Sequence, residues 1–81
     1  MKVFKLKPFV RLAKKEKISD AALRKAVERA EKGLIDGDLG GHVIKQRVGR
    51  RGSHRVLICY RKGDLAFFAY CFPKSKRERL R

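Results

Sequence analysis

Residues 43–72 read VIKQRVGRRGSHRVLICYRKGDLAFFAYCF, and their rhythm decides the fold. From 43 to 48 the period is two: Val43, Lys45 and Arg47 leave one side, and Ile44, Gln46 and Val48 the other. That alternation is the signature of a β-strand. Gly49-Arg50-Arg51-Gly52-Ser53 then reads as a hairpin loop. Residues 55–61 and 65–72 are apolar on both faces, as interior strands are. Lys62-Gly63-Asp64 supplies the tight turn between them, and Pro73 ends the run. Three antiparallel strands joined by hairpins are expected.

Upstream, Asp36-Gly37-Asp38-Leu39-Gly40-Gly41 reads as a turn-rich connection, and before it the period lengthens. Leu23, Ala26, Val27, Ala30 and Leu34 make one stripe of an amphipathic helix. Ser19 is placed to cap its start, Asp20 complements the dipole, and Gly33 is placed to end it. Pro8 suits the opening of a shorter helix whose stripe is Phe9, Leu12 and Ala13, running to about Lys17. Residues 2–7 alternate, Phe4 and Leu6 against Lys5 and Lys7, as in a half-buried strand. The expected fold is α+β: an N-terminal strand, a two-helix hairpin and a three-stranded antiparallel meander, with the helices packed on one face of the sheet. Residues 1–81 are read as a single domain.

Composition narrows the function. Among 81 residues, 23 Lys and Arg face 8 Asp and Glu, a net charge of +15. With 43% hydrophobic residues the chain can build a core, so this is no disordered tail. A small domain with that much self-repulsion gains from a polyanionic partner. No apolar run approaches the roughly 18–20 residues of a membrane span, and the N-terminus lacks the apolar core of a signal peptide. A cytoplasmic location is expected. Cys59 and Cys71 sit inside apolar stretches and read as core thiols rather than a disulfide. Without Cys-x-x-Cys, His-x-x-x-His or clustered carboxylates, neither a metal site nor a cofactor is expected.

The charge is also uneven. From Leu39 to Gly63 there is no Asp or Glu, but there are seven Lys/Arg and both histidines. Lys45 and Arg47 leave the same side of their strand, and antiparallel pairing brings Arg55 back beside one of them. Arg50 and Arg51 in the loop, Arg61 at the next strand end, and Lys74, Lys76 and Arg77 after the last strand extend the candidate RNA-binding set. RNA carries its own nucleophile, the 2′-hydroxyl, beside the scissile phosphate. Cleaving it takes removal of that proton, stabilisation of charge on phosphorus and protonation of the leaving oxygen. An Arg fork fits phosphate, and a lysine crowded by other cations gives up its proton more readily. Each piece also has a plainer reading: a solvated strand face for Lys45 and Arg47, ordinary hairpin charges for Arg50 and Arg51, a solvated tail for 74–81. His42 and His54 read either as an acid–base pair or as incidental loop residues. Tyr70 reads as core or as a base-stacking ring.

The order and spacing of several strings resemble the RelE-type toxins of bacterial toxin–antitoxin systems, especially the HigB-like branch. The strings are Phe4-Lys5 through Phe9, Ile18-Ser19-Asp20, residues 33–41, residues 43–48, residues 55–61 and Phe72-Pro73-Lys74-Ser75, covering nearly the whole chain. The resemblance implies a metal-independent, ribosome-dependent endoribonuclease that cleaves mRNA and is silenced by a cognate antitoxin protein. By position it places the catalytic basic residues at Lys45, Arg47 and Arg55, with Lys74, Lys76 or Arg77 supplying one more. Some relatives carry a catalytic Tyr in a further C-terminal segment. No Tyr follows Tyr70 here, so either other residues take that role or the chain is a shortened form of low activity. Two other readings compete: a ParE-like poison of DNA gyrase, and a non-catalytic basic nucleic-acid- or ribosome-binding module.

Overall fold

The computed structural model describes residues 2–61 and 64–75, the Arg61 side chain excepted. Two helices lie on one face of a five-stranded sheet. In chain order the elements are β1 (Lys2–Lys5), α1 (Lys7–Lys15), α2 (Asp20–Glu31), β2 (Gly37–Gly40), β3 (Val43–Val48), a 3-10 turn (Arg50–Gly52), β4 (His54–Arg61) and β5 (Leu65–Pro73). The strand order is β1-β5-β4-β3-β2, antiparallel except that β1 runs parallel to β5.

Both helices end by the same device. At the end of α2, Gly33 adopts φ 83, Leu34 N–H donates to Arg29 O at 2.8 Å, and Gly33 N–H to Ala30 O at 3.0 Å. This pair of bonds satisfies carbonyls the helix leaves open. Lys17, at φ 59, does the same for α1 through Ile18 N–H to Ala13 O at 2.9 Å. Ser19 caps α2, its Oγ accepting from Ala22 N–H at 3.1 Å. Phe9 and Ala13 of α1 and Leu23, Ala26, Val27 and Ala30 of α2 are buried against Ile44, Val48, Val56, Ile58, Ala66 and Phe68 of the sheet. Phe9 stacks on Phe68 with centroids 5.1 Å apart.

Four sequence expectations change. Residues 37–40 form an edge strand rather than a plain turn, so β3 is interior. The sheet is mixed rather than a pure meander, because β1 adds in parallel beside β5. Leu34 lies beyond α2 and is 58% exposed, since the Gly33 turn carries the chain off the helix before the stripe reaches it. In β1, Val3 and Lys5 look toward α2, and Phe4 lies on the opposite face, where its ring stacks on Phe67 at 5.7 Å. Pairing with β5 sets that register, and one strand cannot announce it.

Candidate functional site: a basic face at the β3–β4 hairpin

Among the described residues, no helix or strand covers the sheet face away from the helices, termed the open face. Cross-strand partners of an antiparallel pair share a face, so the registers give its rows directly. Arg47 pairs with Arg55, and Arg55 with Phe72. One step along, Lys45 pairs with Leu57 and Leu57 with Tyr70; beyond that Val43 pairs with Cys59 and Cys59 with Phe67. On this face aromatic residues recur along β5, at Phe67, Tyr70 and Phe72, and the two arginines gather at the Phe72 end. A register shift between Leu57 and Ile58 leaves Ala69 as the extra residue on β5. This bulge reverses the alternation, so Phe68 faces the helices while Tyr70 and Phe72 face the open side.

The three residues expected to carry chemistry share this face but differ in display. Lys45 is half-buried beside Gly37 of β2. The Arg47 side chain is 59% exposed and tied to Asp36. Arg55 is only 6% exposed, and its Nη1 donates to Gly52 O at 2.7 Å and to His54 O at 3.2 Å. Its guanidinium thus braces the hairpin turn from below. Arg50 and Arg51 are exposed on that turn, and Lys74 is exposed next to it, its N–H donating to Ser53 O at 2.8 Å. Lys76 and Arg77 and the Arg61 side chain lie outside the described residues.

The turn itself is tightly specified. Gly49 sits at φ 82, and a Cβ there would stand 2.6 Å from Ser53 Oγ. Arg51 takes φ 56, a region that costs a non-glycine residue about 1–2 kcal/mol. The histidines do not meet. His42 occupies the β2–β3 turn, whereas His54 starts β4 at the far end of the β3–β4 ladder, across from Val48. His54 instead faces the helices, its Nε2 2.9 Å from Glu16 Oε1 and its Nδ1 2.8 Å from Ser53 Oγ. Cys59 lies on the open face and Cys71 on the helix face, so a disulfide between them is geometrically excluded.

Sequence reasoning missed the groups that position Arg47. Asp36 Oδ2 accepts the Arg47 backbone N–H at 2.8 Å, Oδ1 accepts from Arg47 Nη2 at 3.1 Å, and Arg29 pairs with the same carboxylate. Burial alone would raise the Asp36 pKa, but the Arg47 backbone N–H and the two guanidinium groups pull it down to about 2. Beneath lies Gln46, fully buried, with Oε1 accepting from Asp36 N–H at 2.7 Å. Its Nε2 donates to Ala26 O and Leu34 O, each at 3.1 Å. The only sequence signal was a lone Gln between Ile44 and Val48 on the buried side of a strand.

The two helices lie on one face of the sheet and the Lys45, Arg47 and Arg55 ladder positions on the other. The chain belongs to the RelE family: the family model for the RelE toxin of the RelE/RelB toxin–antitoxin system matches residues 1–81. No curated protein and no solved structure matches it. Membership implies an antitoxin partner. Among the described residues, no helix is long and apolar enough to cross a membrane.

Proposed function

We propose that this protein is a ribosome-dependent endoribonuclease that cleaves mRNA on the open face of its sheet, without a metal. The supporting observation is the Arg47–Arg55 register, which sets two guanidinium-bearing residues opposite each other with Lys45 one step along the same face. RNA bound there presents a phosphate to the cationic end. Proton transfer from the 2′-hydroxyl lets O2′ attack phosphorus, the bond to the 5′-oxygen breaks, and that oxygen is protonated as it leaves. Arginine does not give up its proton, so within this set Lys45 is the proton-transfer group and Arg47 positions and neutralises the phosphate. Arg55 adds positive charge from beneath while holding the turn that carries Arg50 and Arg51. Removing one such stabilising donor elsewhere costs roughly 10²–10³ in rate.

Mapping transcript ends on translating ribosomes tests this. Wild-type protein is expected to cut within reading frames, and Lys45→Ala or Arg47→Ala to cut at least about 100-fold more slowly while keeping the native circular dichroism spectrum. Intact transcripts together with inhibited DNA supercoiling would instead identify a gyrase poison. Intact transcripts with salt-sensitive binding to any polyanion would identify a non-catalytic module.

A further inference from the structure

Ser53, His54 and Glu16 form a chain of hydrogen bonds that cleavage on the open face does not use. Ser53 Oγ lies 2.8 Å from His54 Nδ1, and His54 Nε2 lies 2.9 Å from Glu16 Oε1. The far end of the chain fixes the direction of the near end. An ionised carboxylate only accepts, so the ring proton sits on Nε2 and donates to Glu16. Nδ1 is then a bare lone pair, and the Ser53 hydroxyl donates to it. A serine is a weak nucleophile until a neighbouring base takes its proton, and that base works best when a third group orients it. Exposure follows the same order. Ser53 stands at the surface, whereas the side chains of His54 and Glu16 are 18% and 23% exposed.

The surroundings of the hydroxyl name its electrophile. Gly49 packs so closely on Ser53 that a Cβ there would stand 2.6 Å from Oγ, and Gly49 also lines two cationic hollows. The larger, of about 510 Å³, has Lys25, Arg29, Arg47 and Arg50 in its walls; the smaller, of about 310 Å³, has Arg29, Arg47 and Arg51. No carboxylate of the described residues lines either hollow, and the one Asp36 carboxylate shared by Arg29 and Arg47 leaves that pair net positive. Guanidinium forks match phosphate oxygens, and a hollow of this size is in the range of small-ligand sites. We propose that Ser53 is a nucleophile that accepts a phosphoryl group from a nucleoside triphosphate whose phosphates rest in these hollows. Oγ attacks the γ-phosphorus, the Oγ–P bond forms, and the bond from phosphorus to the bridging oxygen breaks. The nucleoside diphosphate leaves with that electron pair. The hydroxyl proton passes to His54 Nδ1, the imidazolium keeps its Nε2–H on Glu16, and the extra proton then goes to water. The phosphoserine brings about −1.5 to −2 charge to a turn carrying Arg50 and Arg51, which lowers its pull on other polyanions. This holds whether or not the open face cuts RNA.

The test incubates the full chain, without RNA or ribosomes, with ATP radiolabelled at the γ-phosphate and Mg²⁺, and places the label by peptide mapping. Phosphoserine at Ser53 is expected. In His54→Gln, which keeps a polar side chain but cannot hold the proton, it is expected to form at least about 100-fold more slowly. Glu16 acts as a positioning residue and has its own readout, which does not depend on His54→Gln folding. In protein labelled with ¹⁵N-histidine, the His54 ring shifts are expected to show the Nε2–H tautomer in wild type and a mixture of tautomers in Glu16→Ala, with slower labelling of Ser53. Absence of label at Ser53 overturns the proposal. So does an equal rate in a folded His54→Gln, or the Nδ1–H tautomer in the wild-type protein.

Discussion

Asp36 holds Arg47 at two points, through the backbone N–H at 2.8 Å and the guanidinium Nη2 at 3.1 Å. Arg29 binds the same carboxylate and also donates from Nη1 to Arg47 O at 3.1 Å. Of the two paired arginines, the exposed one, Arg47, is therefore aimed by its neighbours rather than waving in solvent. The charge that aims it also takes part of its charge away.

This clamp makes stability depend on acid. The Asp36 pKa is depressed to about 2 in the fold, below the roughly 3.9 of an unfolded Asp. Its contribution is complete above about pH 4 and is lost as pH falls toward 2, because the unfolded chain takes up the proton first. Allowing for solvent screening, that contribution is about 1–2 kcal/mol. Asp36→Asn is expected to lower the urea midpoint at pH 7 and to flatten the pH dependence of stability between pH 4 and 2. A variant with the wild-type acid profile would show that the clamp is idle.

Gln46, itself fully buried, ties together three backbone groups from α2, the chain just beyond it and Asp36. Gln46→Leu fits the strand and its apolar neighbours but strips partners from Asp36 N–H, Ala26 O and Leu34 O. Each unsatisfied buried group costs about 1–3 kcal/mol. A loss of at least about 2 kcal/mol in chemical denaturation is expected, against the gain a purely hydrophobic reading of that position implies.

Arg51 occupies a left-handed backbone conformation that glycine adopts freely. Arg51→Gly is expected to leave stability unchanged or raise it by up to about 1 kcal/mol, because relief of strain offsets the added freedom of the unfolded chain. Affinity for single-stranded RNA is expected to fall, with a salt-dependence slope smaller by about 0.7. An unchanged slope would remove Arg51 from the RNA contacts.

Arg55 separates bracing from chemistry. Arg55→Ala is expected to destabilise the hairpin, leaving Gly52 O and His54 O short of a donor at a cost of about 1–3 kcal/mol. Arg55→Lys keeps the charge while losing the fork geometry. If Arg55 acts on the phosphate, the lysine variant stays folded and still loses mRNA cleavage far more than antitoxin binding. Full cleavage by that variant would confine Arg55 to the turn.

The helices and the three central strands were legible because their signals are local. The stripe of Leu23, Ala26, Val27 and Ala30, the Ser19 cap and the Gly33 stop all act within a few residues of one another. β2 was hidden for the opposite reason: Gly37–Gly40 has no strand-forming side chains and is a strand only because β3 offers it a ladder. The bare alternation of β1 likewise left open which side meets α2, and its parallel seat beside β5 set Val3 and Lys5 on the α2 side of a strand that stays exposed along its length.

The candidate site divides along the same line. Sequence alone determined that Lys45 and Arg47 share a side of one strand, because a pleat alternates at every residue regardless of what surrounds it. It determined as well that an acid-free, cation-rich hairpin joins two strands. Only the tertiary structure decided that Arg55 lies beneath the turn, that Asp36 and Arg29 take hold of Arg47, and that the Ala69 bulge sends Tyr70 outward. Those outcomes depend on the register between strands and, for the hold on Arg47, on contacts between residues 11 and 18 positions apart, and such pairings are chosen by the packing of the whole molecule.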